Sequence, residues 1–182
     1  MHKGTIHFVS HMKDIEDAYQ EASIGKTARL PILEMTIPSS LDNTLSPPGK
    51  HVAQIFVQYA PYDLDPSHGS WEDVNFKENF VKRCFSIVDE YAPGFSKSII
   101  GYDALSPLDL EQIFGLPKGN FHHLSLGIHQ LAYNRPVPKF SSYRSPLKSL
   151  YHCSAGSHPG GGVMGAPARN CSNIILSDLN VL

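Results

Sequence analysis

A glycine-rich segment near the C-terminus constrains the fold of this chain more than any other feature. Five glycines lie between Tyr151 and Asn170, and three of them, Gly160-Gly161-Gly162, run consecutively into Val163. The residues after Met164 predict a helix to about Leu179. A glycine turn that enters a helix leaves several backbone N–H groups unpaired, with no Cβ to keep a ligand away. The segment therefore predicts an anion-binding turn.

The residues before the glycines, 149–153, predict a short buried strand. Strand, glycine turn and helix in succession form the geometry that holds a phosphate or the edge of a flavin. Neither standard phosphate fingerprint applies, because no GxGxxG follows a strand and GxxxxGK[ST] is absent. The local pattern leaves a second interpretation open, in which the glycines form a flexible turn before an ordinary packed helix.

Composition describes one ordinary domain without a polymer partner. The chain has 182 residues, of which 41% are hydrophobic and 18% are charged, and its formal net charge is −2. The nearly balanced charge gives no basic footprint for nucleic acid, and no apolar run is long enough to span a bilayer. Residues 1–13 hold no apolar signal core, and the chain enters structured sequence at Thr5. We expect this abrupt start of a truncated form or a fragment.

Cysteines and histidines predict neither a disulfide framework nor a metal site. The three cysteines are an odd number without paired spacing, which favours a reducing compartment. The ten histidines include two loose groups, one of His122-His123 with His129 and one of His152-Cys153 with His158. Neither group has the CxxC or HExxH spacing of a metal site, so we expect no bound metal.

The first two thirds of the chain predict alternating helices and strands. Helical spacing predicts a short amphipathic helix over residues 14–24, and apolar runs predict strands over residues 30–37 and 51–59. The longest helix is predicted to begin at Ser70, with Asp73 completing a capping box, and to end at Pro93-Gly94. Its core-facing stripe is predicted to comprise Val74, Val81, Cys84, Phe85, Val88 and Tyr91.

Regular structure is predicted to decline after this helix. Residues 99–103 predict a strand, and Ser106-Pro107 with Asp109 predicts a short helix that ends at Gly115. Prolines and glycines leave little room for regular elements in residues 116–147, where histidines, tyrosines and arginines accumulate. Long structured loops rich in such side chains are more often binding surface than scaffold.

Residues 156–165, Gly156-Ser157-His158-Pro159-Gly160-Gly161-Gly162-Val163-Met164-Gly165, resemble the C-terminal flavin-contacting segment of the phytoene-desaturase-like FAD oxidoreductases. The resemblance runs through nearly the whole chain in the order found in that family. Its other matching segments are Ile37-Pro38-Ser39-Ser40-Leu41-Asp42, Pro47-Pro48-Gly49-Lys50-His51, Tyr91-Ala92-Pro93-Gly94-Phe95, Ile113-Phe114-Gly115-Leu116-Pro117, Gly119-Asn120 and Arg135-Pro136-Val137-Pro138.

The resemblance implies an α+β fragment of an α/β FAD-linked oxidoreductase. Residues 1–147 would form a portion of the substrate domain, with a mixed sheet and helices, and residues 148–182 would form the flavin-contacting strand, glycine turn and helix. Such enzymes begin with a Rossmann βαβ unit that carries GxGxxG and an acidic residue for the adenosine ribose, and this chain lacks that unit.

The resemblance also implies FAD as the cofactor and assigns candidate residues to it. The residues matched to flavin contacts are Gly156, His158, Pro159, Gly160, Gly161, Gly162, Val163, Met164 and Gly165. His123, Tyr143 and Arg144 match family positions on the substrate side of the flavin, and no residue is assigned as catalytic. For His123, a hydrogen-bonded and partly buried histidine without a functional role is an equal alternative.

Three residues depart from the family pattern. Ser154 and Ala168 stand where similar sequences have glycine, and Pro167 falls within the predicted helix. A proline in a helix removes a hydrogen bond and predicts a kink unless it lies in the first turn. Ser154 adds a Cβ where the end of the predicted strand should approach closely.

The sequence therefore predicts the C-terminal portion of an FAD-dependent oxidoreductase that is inactive on its own. The alternative is a truncated, non-catalytic binding or regulatory module, whose protein partner docks on the surface left by the missing dinucleotide-binding domain. A third interpretation is a small-molecule-binding α+β domain with a generic anion site. Resemblance implies the mitochondrial matrix, whereas the chain shows no Arg-rich leader and otherwise suggests the cytoplasm.

Overall fold

The computed structural model describes residues 3–123 and 125–181. Within them, three strands form one antiparallel sheet in the order β1 (Ile6–Phe8), β2 (Ile32–Thr36) and β3 (Gln54–Gln58). The central strand β2 places Leu33 opposite Phe8 on one side and Val57 on the other. Strands β2 and β3 confirm the sequence prediction. The prediction of a mixed sheet is wrong, because both described strand pairings are antiparallel.

Five α-helices accompany the sheet in the described residues. They are α1 (Met12–Ser23), α2 (Val74–Tyr91), α3 (Phe95–Ser98), α4 (Pro107–Phe114) and α5 (Ala166–Asp178). Helices α1, α2 and α4 confirm the helices predicted from periodicity and capping residues. The described structure is therefore α+β, as the sequence predicts.

Polar caps set the N-termini of α2 and α4. At α4 the Ser106 hydroxyl accepts from the Asp109 N–H (3.2 Å) and the Asp109 carboxylate accepts from the Ser106 N–H (2.7 Å), which is the predicted capping pair. At α2 the cap is Asp73, whose carboxylate accepts from the Asn75 N–H at 2.8 Å. The prediction of Ser70 as the cap is wrong, since an aspartate nearer the helix fills that position.

Helix α2 packs on the sheet and forms the main hydrophobic core. The buried residues of this core are Phe8, Leu33, Met35, Trp71, Phe80, Cys84, Ile87 and Val88. Cys84 and Val88 confirm the predicted core stripe, but Val74 and Tyr91 are 68% and 61% exposed. These two stand at the first and last residues of α2, where the helix extends beyond the surface that it covers. The buried face instead includes Ile87, which the predicted stripe omits.

The predicted strand over residues 99–103 is absent. The segment is irregular, and Ile100 is exposed. Tyr102 fixes it to α2, because its hydroxyl donates to Glu78 (2.6 Å) and its ring meets Phe85 edge-on with a centroid distance of 5.1 Å. Side-chain contacts with a helix therefore replace the sheet hydrogen bonds that a strand requires.

The described residues pack as two units that divide between Gly119 and Asn120. The sheet and helices α1 to α4 belong to the first unit, and α5 belongs to the second. The functional boundary predicted between residues 147 and 148 is a different division, and it stays a prediction.

The second unit is mostly irregular chain with short 3₁₀ turns at Ile128–Gln130 and Ala132–Asn134. The buried strand predicted over residues 149–153 is wrong, since this segment forms only an isolated bridge between Tyr151 and Arg144. Cys153 is exposed, and Ser149 has a φ of 63°, in the left-handed region, which interrupts an extended backbone.

Helix α5 begins later than the sequence predicts. Its N-cap is Gly165 in the left-handed conformation, so Val163 and Met164 lie in the turn before it. Pro167 is the second residue of α5 and lies in its first turn, where a backbone N–H has no partner within the helix. Pro167 therefore removes no helical hydrogen bond.

We expect substitutions at the two valines of α2 to separate core from surface. Val88→Ala removes two buried carbon groups at a fully enclosed position and should lower the free energy of unfolding by about 2 kcal/mol. Val74→Ala, on the same helix but exposed, should change it by less than about 0.5 kcal/mol. Urea unfolding followed by circular dichroism measures both. Equal effects would contradict the packing described for α2.

Candidate functional site

The glycine-rich turn, defined as residues 156–165, lies directly before α5. Gly160, Gly162 and Gly165 have φ values of 106°, 112° and 68°, so any residue with a Cβ would be strained at these positions. Their spacing fits the letters of GxGxxG, although no strand precedes them in the structure. The spacing thus reflects the backbone path of this turn and not a βαβ unit.

The second half of the turn exposes a run of unpaired backbone donors. Within the described chain, the N–H groups of residues 161–165 donate to no acceptor, and all five residues are exposed. They lead into the N-terminus of α5, where the free N–H groups and the helix dipole favour a negative charge. This run of donors is the feature of the turn that can bind an anion.

A buried arginine lies against the turn. Arg135 is only 1% exposed, and an ideal Cβ placed on Gly160 would lie 3.7 Å from its Nε. Its guanidinium donates to the backbone carbonyls of Ala155 (2.7 and 3.2 Å), Ser125 (3.0 Å) and His123. Among the described residues no carboxylate pairs with it. The positive charge beside the turn is therefore held by neutral groups.

Arg135 did not enter the predicted site. Its only signal in the sequence is its place in the matching segment Arg135-Pro136-Val137-Pro138. Its role depends on carbonyl groups that lie 10, 12 and 20 residues away along the chain. No local pattern announces such an arrangement.

Tyr143 joins the glycine-rich turn to α5. Its side chain is buried, and its hydroxyl donates to the His158 carbonyl (2.8 Å) while it accepts from Asn170 Nδ2 (2.8 Å). Its own carbonyl accepts from the His152 N–H at 2.8 Å. The polar groups of Tyr143 are thus engaged in holding the turn on the helix. A contact of Tyr143 with substrate stays a prediction.

Arg144 pairs with the end of α5. Its guanidinium donates to both carboxylate oxygens of Asp178, at 2.6 and 2.8 Å, and the Tyr151 hydroxyl donates to the same carboxylate at 3.0 Å. The Arg144 hydrogen bond lowers the pKa of Asp178. The carboxylate in turn raises the pKa of Tyr151. In this structure Arg144 therefore binds within the chain.

His123 and His158 contribute through their backbones. The His123 carbonyl accepts from Arg135 and the His158 carbonyl accepts from Tyr143, whereas both residues are exposed overall. The structure thus links predicted residues of both groups in one network, because Arg135 connects His123 to Ala155 beside the turn. The role of each side chain toward a ligand stays a prediction.

Neither a metal cluster nor a membrane-spanning helix is found in the described residues. Within residues 3–123 and 125–181, no group of three or more histidine, cysteine, aspartate or glutamate side chains is arranged to hold a metal ion. In the same part of the chain, no helix has both the length and the apolar character needed to cross a membrane.

Curated relatives of the chain are named as oxidoreductases, dehydrogenases or desaturases. Rat pyridine nucleotide-disulfide oxidoreductase domain-containing protein 2 is 46% identical over 165 residues, which are 91% of this chain and 28% of the rat protein. A polypeptide of the limonene dehydrogenase of Castellaniella defragrans is 28% identical over 95% of this chain and 30% of its own length. Phytoene desaturase (lycopene-forming) of Pseudescherichia vulneris is 26% identical over 78% of this chain and 28% of its own length.

These similarities confirm the resemblance to the phytoene-desaturase-like oxidoreductases, and the chain is related to that class. At the level of a particular protein, it is similar to pyridine nucleotide-disulfide oxidoreductase domain-containing protein 2, at 44% to 46% identity in mouse and rat. The chain spans less than a third of the length of these relatives. No protein-family model matches it.

Substitution of Arg135 should destabilise the chain strongly. Arg135→Met keeps an apolar stem but leaves buried carbonyls unpaired, so we expect a loss of about 3 kcal/mol in the free energy of unfolding. Arg135→Lys should recover only part of this, since an ammonium group cannot reproduce the guanidinium fork. Urea unfolding measures the loss, with the exposed Arg169→Met as a matched control that should change it by less than about 0.5 kcal/mol. Equal losses for Arg135→Met and Arg169→Met would contradict the network.

The Asp178 carboxyl should titrate below its usual pKa of 3.8, because the ion pair with Arg144 favours the charged form. The stabilisation that it provides is present above pH 3.8 and is lost as the pH falls through the lowered value. Carboxyl resonances followed by NMR should show this, and Arg144→Gln should raise the Asp178 midpoint. Asp42, whose lowered pKa comes from Thr44 in the first unit, is the control and should not respond to Arg144→Gln. A normal Asp178 midpoint in the unsubstituted chain would contradict the pairing.

Proposed function

We propose that this chain supplies the flavin-contacting segment and part of the substrate cavity of an FAD-dependent oxidoreductase. The observation that carries the proposal is the exposed run of five unpaired N–H groups at residues 161–165, directly before α5. The oxidoreductase names of the relatives support the reaction class.

The donor set of the turn fits the pyrophosphate of a dinucleotide. Backbone N–H groups at a helix N-terminus favour phosphate oxygens, and glycines allow the ligand to approach the backbone closely. Arg135 adds a positive charge that no acidic group among the described residues neutralises. We therefore assign pyrophosphate binding to residues 160–165, with Gly156, His158 and Pro159 shaping the path of the turn.

The apolar side chains of the turn suit the less polar part of the cofactor. Val163 is fully exposed and Met164 is 61% exposed, so both present apolar surface beside the free donors. When bound, FAD would supply the hydride-transfer chemistry, and the residues of this chain would orient the cofactor and exclude water. An N–H group near the flavin would also stabilise the negative charge that develops on reduction.

The three substrate-side candidates differ in availability. His123 is exposed, and only its carbonyl is engaged by Arg135. Tyr143 and Arg144 already use their polar groups within the second unit. We therefore propose His123 as the residue that faces substrate, and we propose Tyr143 and Arg144 as residues that position the turn.

A second function, a non-catalytic binding module, has one observation in its favour. The second unit exposes many large apolar side chains, which is typical of a surface that another protein covers. They are Leu126, Ile128, Leu131, Tyr133, Val137, Leu147, Leu150, Val163, Met164, Leu179 and Val181. A cooperative melt and a monomeric state in solution would favour this module, whereas aggregation would favour a segment of a larger enzyme.

The test of the proposed function is a flavin titration of the purified chain. Gly161 is suited to it because its φ lies outside the left-handed region and its added Cβ would meet only the Ala155 Cβ, at 3.7 Å. Gly161→Val should therefore preserve the fold and block approach to the free donors. We expect FAD fluorescence to report micromolar binding that weakens at least about tenfold in this variant.

Gly101→Val is the matched control for this titration. A Cβ on Gly101 meets nothing within 4 Å, and the residue lies in the first unit. Its affinity for FAD should equal that of the unsubstituted chain. Equal binding by Gly161→Val would exclude the turn as the flavin site, and absence of binding by the folded, unsubstituted chain would show that these residues alone do not hold the cofactor.

A further inference from the structure

Residues 151–158 lie along α5 and are attached to it at both ends. At the first end, the Tyr151 hydroxyl donates to Asp178, the last residue of the helix (3.0 Å). At the other end, the His158 carbonyl accepts from the Tyr143 hydroxyl, which accepts from Asn170 (2.8 Å each). Asn170 and Asp178 are a little over two helical turns apart. The segment therefore returns along the helix toward its first turn.

Two cysteines fall between these attachments. Cys153 is the third residue of the segment and is exposed, whereas Cys171 follows Asn170 and is 1% exposed. Cys171 precedes Asp178 by seven residues, so the two side chains share the face of α5 on which Tyr151 is bound. The two thiols are near enough to interact, because Cys153 adds to the rise in the pKa of Cys171 that burial causes first.

The third cysteine differs in place and reactivity. Cys84 is buried in α2 of the first unit, and burial raises its pKa to about 12. Because the thiolate is the reactive form, Cys84 should be inert toward mild oxidants. It therefore serves as an internal control.

We propose that Cys153 and Cys171 are a redox-sensitive pair, which hydrogen peroxide converts into a disulfide between the segment before the glycine-rich turn and α5. This inference uses no property of the flavin and does not depend on the proposed function. The disulfide would fix the turn to the helix covalently and so restrict the run of free donors at residues 161–165.

The oxidation balances without another reactant. The exposed Cys153 thiolate attacks peroxide, the O–O bond breaks, and Cys153 sulfenic acid and hydroxide form. The Cys171 sulfur then attacks the Cys153 sulfur, the S–O bond breaks, and water leaves as the S–S bond forms. Together two thiols lose two electrons and two protons, and one peroxide is reduced to two waters.

The test is a disulfide map of the purified chain after treatment with one equivalent of hydrogen peroxide and blocking of the remaining thiols. Trypsin separates the three cysteines, since cleavage after Lys148 and Arg169 gives peptides 149–169 and 170–182, and Cys84 lies in peptide 84–97. We expect peptides 149–169 and 170–182 to be linked, with a mass two hydrogens below their sum, and a reductant should separate them. Peptide 84–97 should carry the blocking group.

Matched variants make the result decisive. Cys153→Ser, at an exposed position, and Cys171→Ala should both abolish the link, and Cys84→Ala should leave it unchanged. If circular dichroism shows that a variant at a buried cysteine is unfolded, the map of the unsubstituted chain still decides. A stable sulfenic acid on Cys153, a dimer through Cys153, or a link that includes Cys84 would each overturn the proposal.

Discussion

The second unit depends on the contact between one buried guanidinium and backbone carbonyls of three residues. A segment with a single helix and much irregular chain offers little apolar surface to bury, so polar contacts must define its conformation. Arg135 meets this need by joining the chain at His123 and Ser125 to the chain at Ala155. Tyr143 then carries the constraint from His158 to Asn170 on α5. The exposed donors of the glycine-rich turn lie between these two fixed points.

The first unit is stabilised by different means. Its antiparallel sheet and α2 bury a continuous apolar core, and capping side chains define where the helices begin. Here Lys118 and Glu111 close the region after α4, since the Glu111 carboxylate accepts from the Lys118 N–H at 2.8 Å. The two units thus separate two tasks, a packed sheet-and-helix layer in one and a conformationally specified loop surface in the other.

Sequence reasoning succeeded where a structure is determined locally. Apolar periodicity and capping residues located α1, α2, α4, β2 and β3, because these signals act over a few residues. It failed at residues 99–103 and 149–153, where an apolar run resembles a strand but no neighbouring strand pairs with it in the described structure. The glycine-rich turn was recognisable from its composition and its resemblance to a family. Arg135 was not, because its partners are carbonyl groups that any residue provides.

Gly161 differs from its neighbours in a way that bears on the evolution of the turn. Gly160 and Gly162 adopt backbone conformations that favour glycine, so the fold itself selects against other residues there. Gly161 is under no such steric demand from its own chain. Selection for glycine at this position would therefore have to come from something outside the polypeptide. Descendants that acquire a larger residue at 161 while keeping Gly160 and Gly162 would be those that have abandoned the ligand but retained the fold.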